Sequence, residues 1–95
     1  AGTCDLFGVW DGIPSVIDHK TSKKLKKKED ILSYFFQCTL YSMMYEELTG
    51  IRLEQIVVLI GVDDEREAQV FVEQRSNYED LVIDTLRQFF HDFGY

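Results

Sequence analysis

GTCDLFGVWDGIPSVIDHKTS, residues 2–22, carries an aspartate near its start and Asp-His-Lys near its end, with an apolar run broken by Asp-Gly between them. Asp11-Gly12, set between two runs rich in β-branched and aromatic residues, is the signal of a two-residue type I′ hairpin turn. With those two as central residues, Trp10 faces Ile13, and the numbers of cross-strand partners sum to a constant that sets Asp5 opposite Asp18. Counting outward from the turn, that pair falls at a non-hydrogen-bonded position, where Cβ atoms approach to about 4.5–5.5 Å. Lys20, two residues beyond Asp18, projects from the same face. Pro14 falls at another such position, where its missing N–H costs the ladder nothing.

Two like charges opposite each other destabilise a sheet unless something compensates them. A hard divalent cation is one compensator, because Mg²⁺ accepts one or two carboxylates and keeps waters for a phosphate-bearing substrate. A surface salt-bridge cluster that includes Lys20 is the other. Hairpin geometry alone leaves both open.

Ninety-five residues make one small domain, residues 1–95, and 45% hydrophobic content is that of a globular chain. No apolar run approaches the roughly 20 residues of a membrane-spanning helix, and the start does not read as a signal peptide. The chain opens at Ala1-Gly2-Thr3, almost at its first strand, an opening that suggests a piece removed upstream. Cys4 and Cys38 match no metal-ligand spacing, and buried thiols in a reducing compartment account for them. An iron–sulfur cluster needs more cysteines than the chain has.

The net charge of −7 argues against nucleic acid, but every lysine lies in KTSKKLKKK, residues 20–28, while most acids come later. A concentrated basic segment on an acidic chain can grip phosphates locally. By itself such a run also reads as a solvated loop held apart by self-repulsion. Its position directly after Asp18-x-Lys20 favours the phosphate reading, since a phosphate there would lie beside a cation held by the paired aspartates.

Glu29-Asp30 ends the basic run and begins a helix, with acids at the positive end of its dipole. That helix is predicted to run to about Thr49, with Gly50 as its stop. It is apolar over most of its circumference, as in a helix packed on more than one side. Ser33, Gln37 and Tyr41 nevertheless recur at spacings of four, with Tyr34 alongside, as a narrow polar stripe. Residues 53–62 read as a strand covered on both faces, and 68–73 as a more peripheral one. Ser76-x-x-Glu79 resembles a capping box for a last helix carrying Val82, Leu86, Phe89, Phe90 and Phe93 on one face, as core or as a contact with missing sequence. The order strand, strand, helix, strand, strand, helix implies a mixed α/β sheet with flanking helices.

Gly2-Thr3-Cys4-Asp5, Val16-Ile17-Asp18-His19-Lys20-Thr21-Ser22 and Gln37-x-x-x-Tyr41 together resemble the PD-(D/E)XK nuclease superfamily, and within it the RecB-type branch that includes phage and mitochondrial single-strand DNA exonucleases. The resemblance runs through most of the chain in order and spacing. It implies a restriction-endonuclease-like core and a Mg²⁺- or Mn²⁺-dependent DNA exonuclease of phage or cellular DNA replication, recombination or repair, acting in the cytoplasm. It makes Asp5, Asp18 and the backbone carbonyl of His19 the metal ligands, with Asp5, Asp18 and Lys20 as the catalytic group. Lys20 positions the attacking water and the scissile phosphate. Gln37 and Tyr41 reach the substrate from the helix, and Thr21, Ser22, Lys23 and Lys24 add contacts to DNA, with a single strand favoured over a duplex.

Two departures matter. The family supplies an upstream helix with a further metal ligand, which this chain lacks, so the resemblance implies weak metal binding and poor cutting by the piece alone. Many relatives also carry an iron–sulfur cluster, which the cysteine count here excludes. A nuclease-like DNA-binding or assembly module without cleavage is the main alternative, and an acidic protein-interaction domain a third.

Overall fold

Asp11 and Gly12 both adopt positive φ, 52° and 76°, the left-handed backbone that both central residues of a type I′ turn require. They join β1 (Leu6–Trp10) to β2 (Ile13–Ser22). The antiparallel register runs from Trp10↔Ile13 to Leu6↔Ile17, as the turn dictates. The computed structural model describes residues 6–92 and 94. Cys4, Phe93 and Asp5, and with Asp5 its expected pairing opposite Asp18, lie outside the described residues.

β2 outruns β1 and pairs along its other edge in parallel with β3 (Gln55–Val62), from Ser15↔Gln55 to Ser22↔Val62. β4 (Gln69–Gln74) returns antiparallel to β3, giving a mixed four-stranded sheet in the order β1-β2-β3-β4. The crossover between β2 and β3 is α1 (Leu32–Thr49), and α2 (Glu79–Asp92) follows β4. Val16, Ile56, Val58, Ile60 and Val62 line one sheet face and pack with Ile31, Phe35 and Cys38 into a single core. Burying each large apolar side chain there contributes about 1.5–3 kcal/mol. Ile17 and Val57 are buried on the opposite face, while Ile13, Val70 and Val72 there stay roughly half exposed.

Two local expectations give way in the fold, and a third holds only in part. The residues Glu29 and Asp30 form part of a 3-10 turn, Lys28–Ile31, and α1 begins only at Leu32. The Asp30 carboxylate accepts the Lys27 backbone N–H at 3.1 Å and tightens that turn. At the far end Gly50 caps α1 as expected, at φ 75° with its N–H on the Glu46 carbonyl. The predicted capping box at Ser76 does not form. Arg75–Asn77 is a 3-10 turn, the Ser76 N–H donates to Glu54 Oε2 at 2.9 Å, and the Glu79 carboxylate turns to Arg52 and Arg75. The apolar stripe of α2, expected as core or as a contact with further sequence, is core at Val82 and not at Phe89 and Phe90. Val82 is fully buried, but Phe89 and Phe90 remain about half exposed and meet edge to face, because burial falls away after the first turns of the helix.

The junction between β4 and α2 is fixed by Arg75, a buried guanidinium. Its Nη2 lies 2.7 Å from Glu46 Oε1 on α1, and its Nε lies 3.1 Å from Glu79 Oε1, within ion-pair range though not aligned as a hydrogen bond. Its backbone N–H donates to the Glu54 carbonyl at 2.6 Å. Ser42 on α1 donates to the Leu53 carbonyl at 2.6 Å, so residues 53 and 54 hold the helices before β3 begins its ladder at Gln55.

Tyr78 completes this junction. Its ring stacks on Phe35 at 5.4 Å and its hydroxyl donates to Glu73 Oε1 at 2.8 Å. Burial, followed by the hydrogen bond to Glu73 and that carboxylate's charge, raises the phenol well above its ordinary value. Because the folded state holds this proton more tightly than the unfolded chain, the contribution is complete below the ordinary tyrosine value, about pH 10, falls progressively above it, and is gone only once pH passes the raised folded-state value. Tyr78→Phe is expected to lower stability at neutral pH by about 1–3 kcal/mol and to remove part of the fall in melting temperature between pH 9 and 11. Thermal melts of both proteins across that range test it, and an identical alkaline fall in the two would remove Tyr78 as its source.

Candidate functional site

Asp18 lies near the middle of β2, and register places it beside Val58 of β3 on the face that carries the core. Only 1% of the residue is exposed, in a position where a hydrophobic side chain would be expected. Strand alternation puts Lys20 on the same face one pleat further on, and its Nζ stands 3.4 Å from Asp18 Oδ2. The intervening His19 lies on the other face and is exposed. The sequence expectation that Asp18 and Lys20 share a face is met.

The ammonium of Lys20 is held from a second side. It stands 5.0 Å from the ring centroid of Tyr34, in the first turn of α1. From there an open cleft of about 610 Å³ extends between α1 and the start of α2. Ser33, Tyr34 and Gln37 bring the polar stripe of α1 to its wall, while Leu32, Phe36 and Leu81 make the rest apolar. Gln37 is half-buried, and no hydrogen bond engages its amide among the described residues. Tyr41, one turn further along α1, is half-buried and does not line the cleft.

The helix stripe was legible as polar residues at spacings of four on an apolar helix. The apolar walls were not. Phe36 and Leu32 look like core positions in the sequence, and Leu81 comes from a helix whose docking no local pattern announces.

The residues that follow Lys20 separate from this cleft. Thr21 falls on the opposite sheet face, with Leu59 and Val57 rather than with Asp18. Thr21, Ser22 and Lys23 line a hollow of about 340 Å³ with Asp63, at the carboxyl ends of β2 and β3. The Ser22 hydroxyl is engaged locally, donating to the Lys24 carbonyl at 2.6 Å and accepting the Lys24 N–H at 3.2 Å. Lys23 and Lys24 are exposed.

The lysine run is tied to β4 at two points. The Gln69 side chain accepts the Lys26 backbone N–H at 2.8 Å and donates to the Lys26 carbonyl at 2.9 Å. Lys28 forms an ion pair with Glu73. Burial pushes the Glu73 carboxyl up, but Lys28 and the Tyr78 hydroxyl outweigh it and leave the group below its ordinary value. Lys28 is therefore already neutralised within the fold, while Lys23, Lys24 and Lys27 extend into solvent. Neither Gln69 nor Glu73 carries a sequence signal for this role, because each is far along the chain from the lysine it holds; Lys26 and Gln69 are 43 residues apart.

The donors fit a hard cation better than a soft one. Asp18 and the His19 carbonyl offer only oxygen, the ligand type of Mg²⁺ and Mn²⁺, and Mg²⁺ completes its shell with water when one or two carboxylates hold it. Among the described residues no group of three or more His, Cys, Asp or Glu stands ready for a metal; Asp5 lies outside them. Compared with known proteins, the sequence matches no family model and no curated protein.

Proposed function

We propose that this chain is the core of a metal-dependent deoxyribonuclease of the PD-(D/E)XK type, in its RecB-like branch, hydrolysing phosphodiester bonds of DNA with single strands favoured. One observation carries the reading. A buried carboxylate, Asp18, and an ammonium, Lys20, stand 3.4 Å apart on one sheet face, and Lys20 opens into a cleft that Ser33 and Gln37 line from the helix opposite. Removing two charges from water is expensive, and a buried pair is often no more stabilising than apolar residues of the same size. A pair kept at that cost, at the mouth of a cleft, suits chemistry on a charged substrate.

Asp18, Asp5 and the His19 carbonyl would hold the cation, which when bound supplies Lewis acidity toward a phosphoryl oxygen and a more acidic water. Lys20 places a compact positive charge where negative charge grows on the phosphoryl group in the transition state. Gln37 has amide donors to spare for a phosphoryl oxygen or a base edge. Tyr41, further along α1, offers a ring on which an unpaired base stacks. The exposed lysines beyond Ser22 grip backbone phosphates, which gives affinity without sequence information.

A second reading, a DNA-binding module without cleavage, is favoured by the fact that Lys20 already supplies Asp18 with an opposite charge and asks for no metal. End-labelled single- and double-stranded DNA incubated with the protein, with and without Mg²⁺ or Mn²⁺, separates the two. Metal-dependent cutting supports the nuclease, and binding without cutting supports the module.

In the nuclease, Asp18→Asn and Lys20→Ala are expected to lower cleavage by at least about 100-fold while DNA binding survives. Wild-type turnover in either variant would remove the catalytic assignment.

The lysines make a different prediction. Replacing Lys23, Lys24, Lys26 and Lys27 by Ser should weaken binding alike across DNA sequences and flatten its salt dependence. The log–log slope should fall by about 0.7 for each single-strand phosphate that the protein no longer neutralises. Lys28→Ser should change that slope least, because Glu73 already claims its charge. An unchanged slope in the fourfold variant would show that the run does not touch DNA.

A further inference from the structure

The proposed chemistry makes a demand on Lys20 that Asp18 alone cannot meet. Lysine ends in a compact charge on a flexible four-carbon stem, which carries about 2 kcal/mol of rotamer entropy. Among the described residues two groups restrain that ammonium, the Asp18 carboxylate at 3.4 Å and the face of the Tyr34 ring at 5.0 Å. Their attractions respond differently to a divalent cation. A carboxylate that binds such a cation has its charge neutralised, so its pull on Lys20 falls, and the cation itself repels the ammonium. The ring's attraction comes from its quadrupole, which a cation bound to Asp18 does not consume.

We propose that Tyr34 is a positioning residue for Lys20, its ring face keeping the ammonium at the mouth of the cleft when Asp18 is engaged by metal. The placement of Tyr34 supports this. It stands in the first turn of an 18-residue helix, one residue before the fully buried Phe35, so the backbone that presents the ring is anchored in the core. Lys20 also keeps a side-chain exposure of 19%, enough for a phosphate to reach it without displacing the ring. The role belongs to the ring and not to the phenol oxygen, so phenylalanine should largely replace it and leucine should not.

The inference rests on the nuclease reading for its kinetic test and has a structural test that does not. In the NMR spectrum of the full chain, the Lys20 ε-methylene protons should be shifted upfield by the ring and show nuclear Overhauser contacts to the Tyr34 ring protons. Both should persist in saturating Mg²⁺. The upfield shift should survive in Tyr34→Phe and disappear in Tyr34→Leu. In cleavage assays Tyr34→Leu should lower kcat roughly 3- to 30-fold, the range a cation–π contact spans, with KM little changed, and Tyr34→Phe should recover most of the loss. Absence of the upfield shift in the wild-type protein, or its loss on adding Mg²⁺, overturns the proposal whether or not the variants fold. So does a Tyr34→Leu enzyme with wild-type kcat, or a Tyr34→Phe enzyme as slow as Tyr34→Leu. If the wild-type protein cuts no DNA, the nuclease reading fails by itself, and the magnetic resonance results still decide whether the ring holds Lys20.

Discussion

Parallel strands cannot be joined by a tight turn, so pairing β2 with β3 forces the chain to leave the end of β2, cross one face of the sheet and return. Residues 23–54 make that crossing, and everything that bears on function is arranged by it. The basic run comes first, at the end of the sheet where β2 and β3 both finish. α1 comes next and covers the face that carries Val16, Asp18 and Lys20, so that its first turn meets Lys20 and its first two turns seal Phe35 and Cys38 into the core. An antiparallel return would have replaced the crossing with a short hairpin loop, and the polar stripe of α1 would have had no strand carboxylate to face.

The same crossing makes Asp18 expensive. A carboxylate with 1% of its residue exposed has lost most of its hydration, and such a group is retained only when it is paired or hydrogen-bonded. Lys20 supplies opposite charge along its own strand, and Tyr34 supplies a polarisable wall behind the ammonium. The three residues come from two elements, and their geometry depends on helix docking rather than on any local turn. Strand and helix are both anchored in the core, and beside Lys20 the site opens along the cleft bounded by Gln37 and Leu81.

The lysine run shows how a segment that repels itself is kept in place. Its charge density alone favours an extended, solvated loop. In the fold Gln69 grips the Lys26 backbone from both its donor and its acceptor, and the chain Lys28–Glu73–Tyr78 ties the end of the run to the core. The anchors use backbone groups and one side-chain charge, which leaves Lys23, Lys24 and Lys27 exposed to solvent.

The sequence by itself determined the hairpin, its register and the face shared by Asp18 and Lys20, because Asp11-Gly12 accepts the two positive φ values of the turn and strand alternation then leaves no freedom. It also determined the end of α1 at Gly50, a consequence of local chemistry, whereas the expected burial of β3 on both faces holds fully on the core face and on the other only at Val57. Tertiary structure decided the rest. Ser76 and Glu79 had the spacing of a capping box, but Glu54 and two arginines offered charged partners stronger than the local reciprocal bonds. Phe89 and Phe90 had the spacing of a core stripe, but periodicity states only that a face is apolar and not what meets it. Ser33, Tyr34 and Gln37 were visible as a polar stripe, yet their convergence with Lys20 and Leu81 on one cleft comes from the docking of three elements far apart in the chain. No short stretch of sequence can encode that placement, because it is set by how the buried faces of the sheet and both helices fit together.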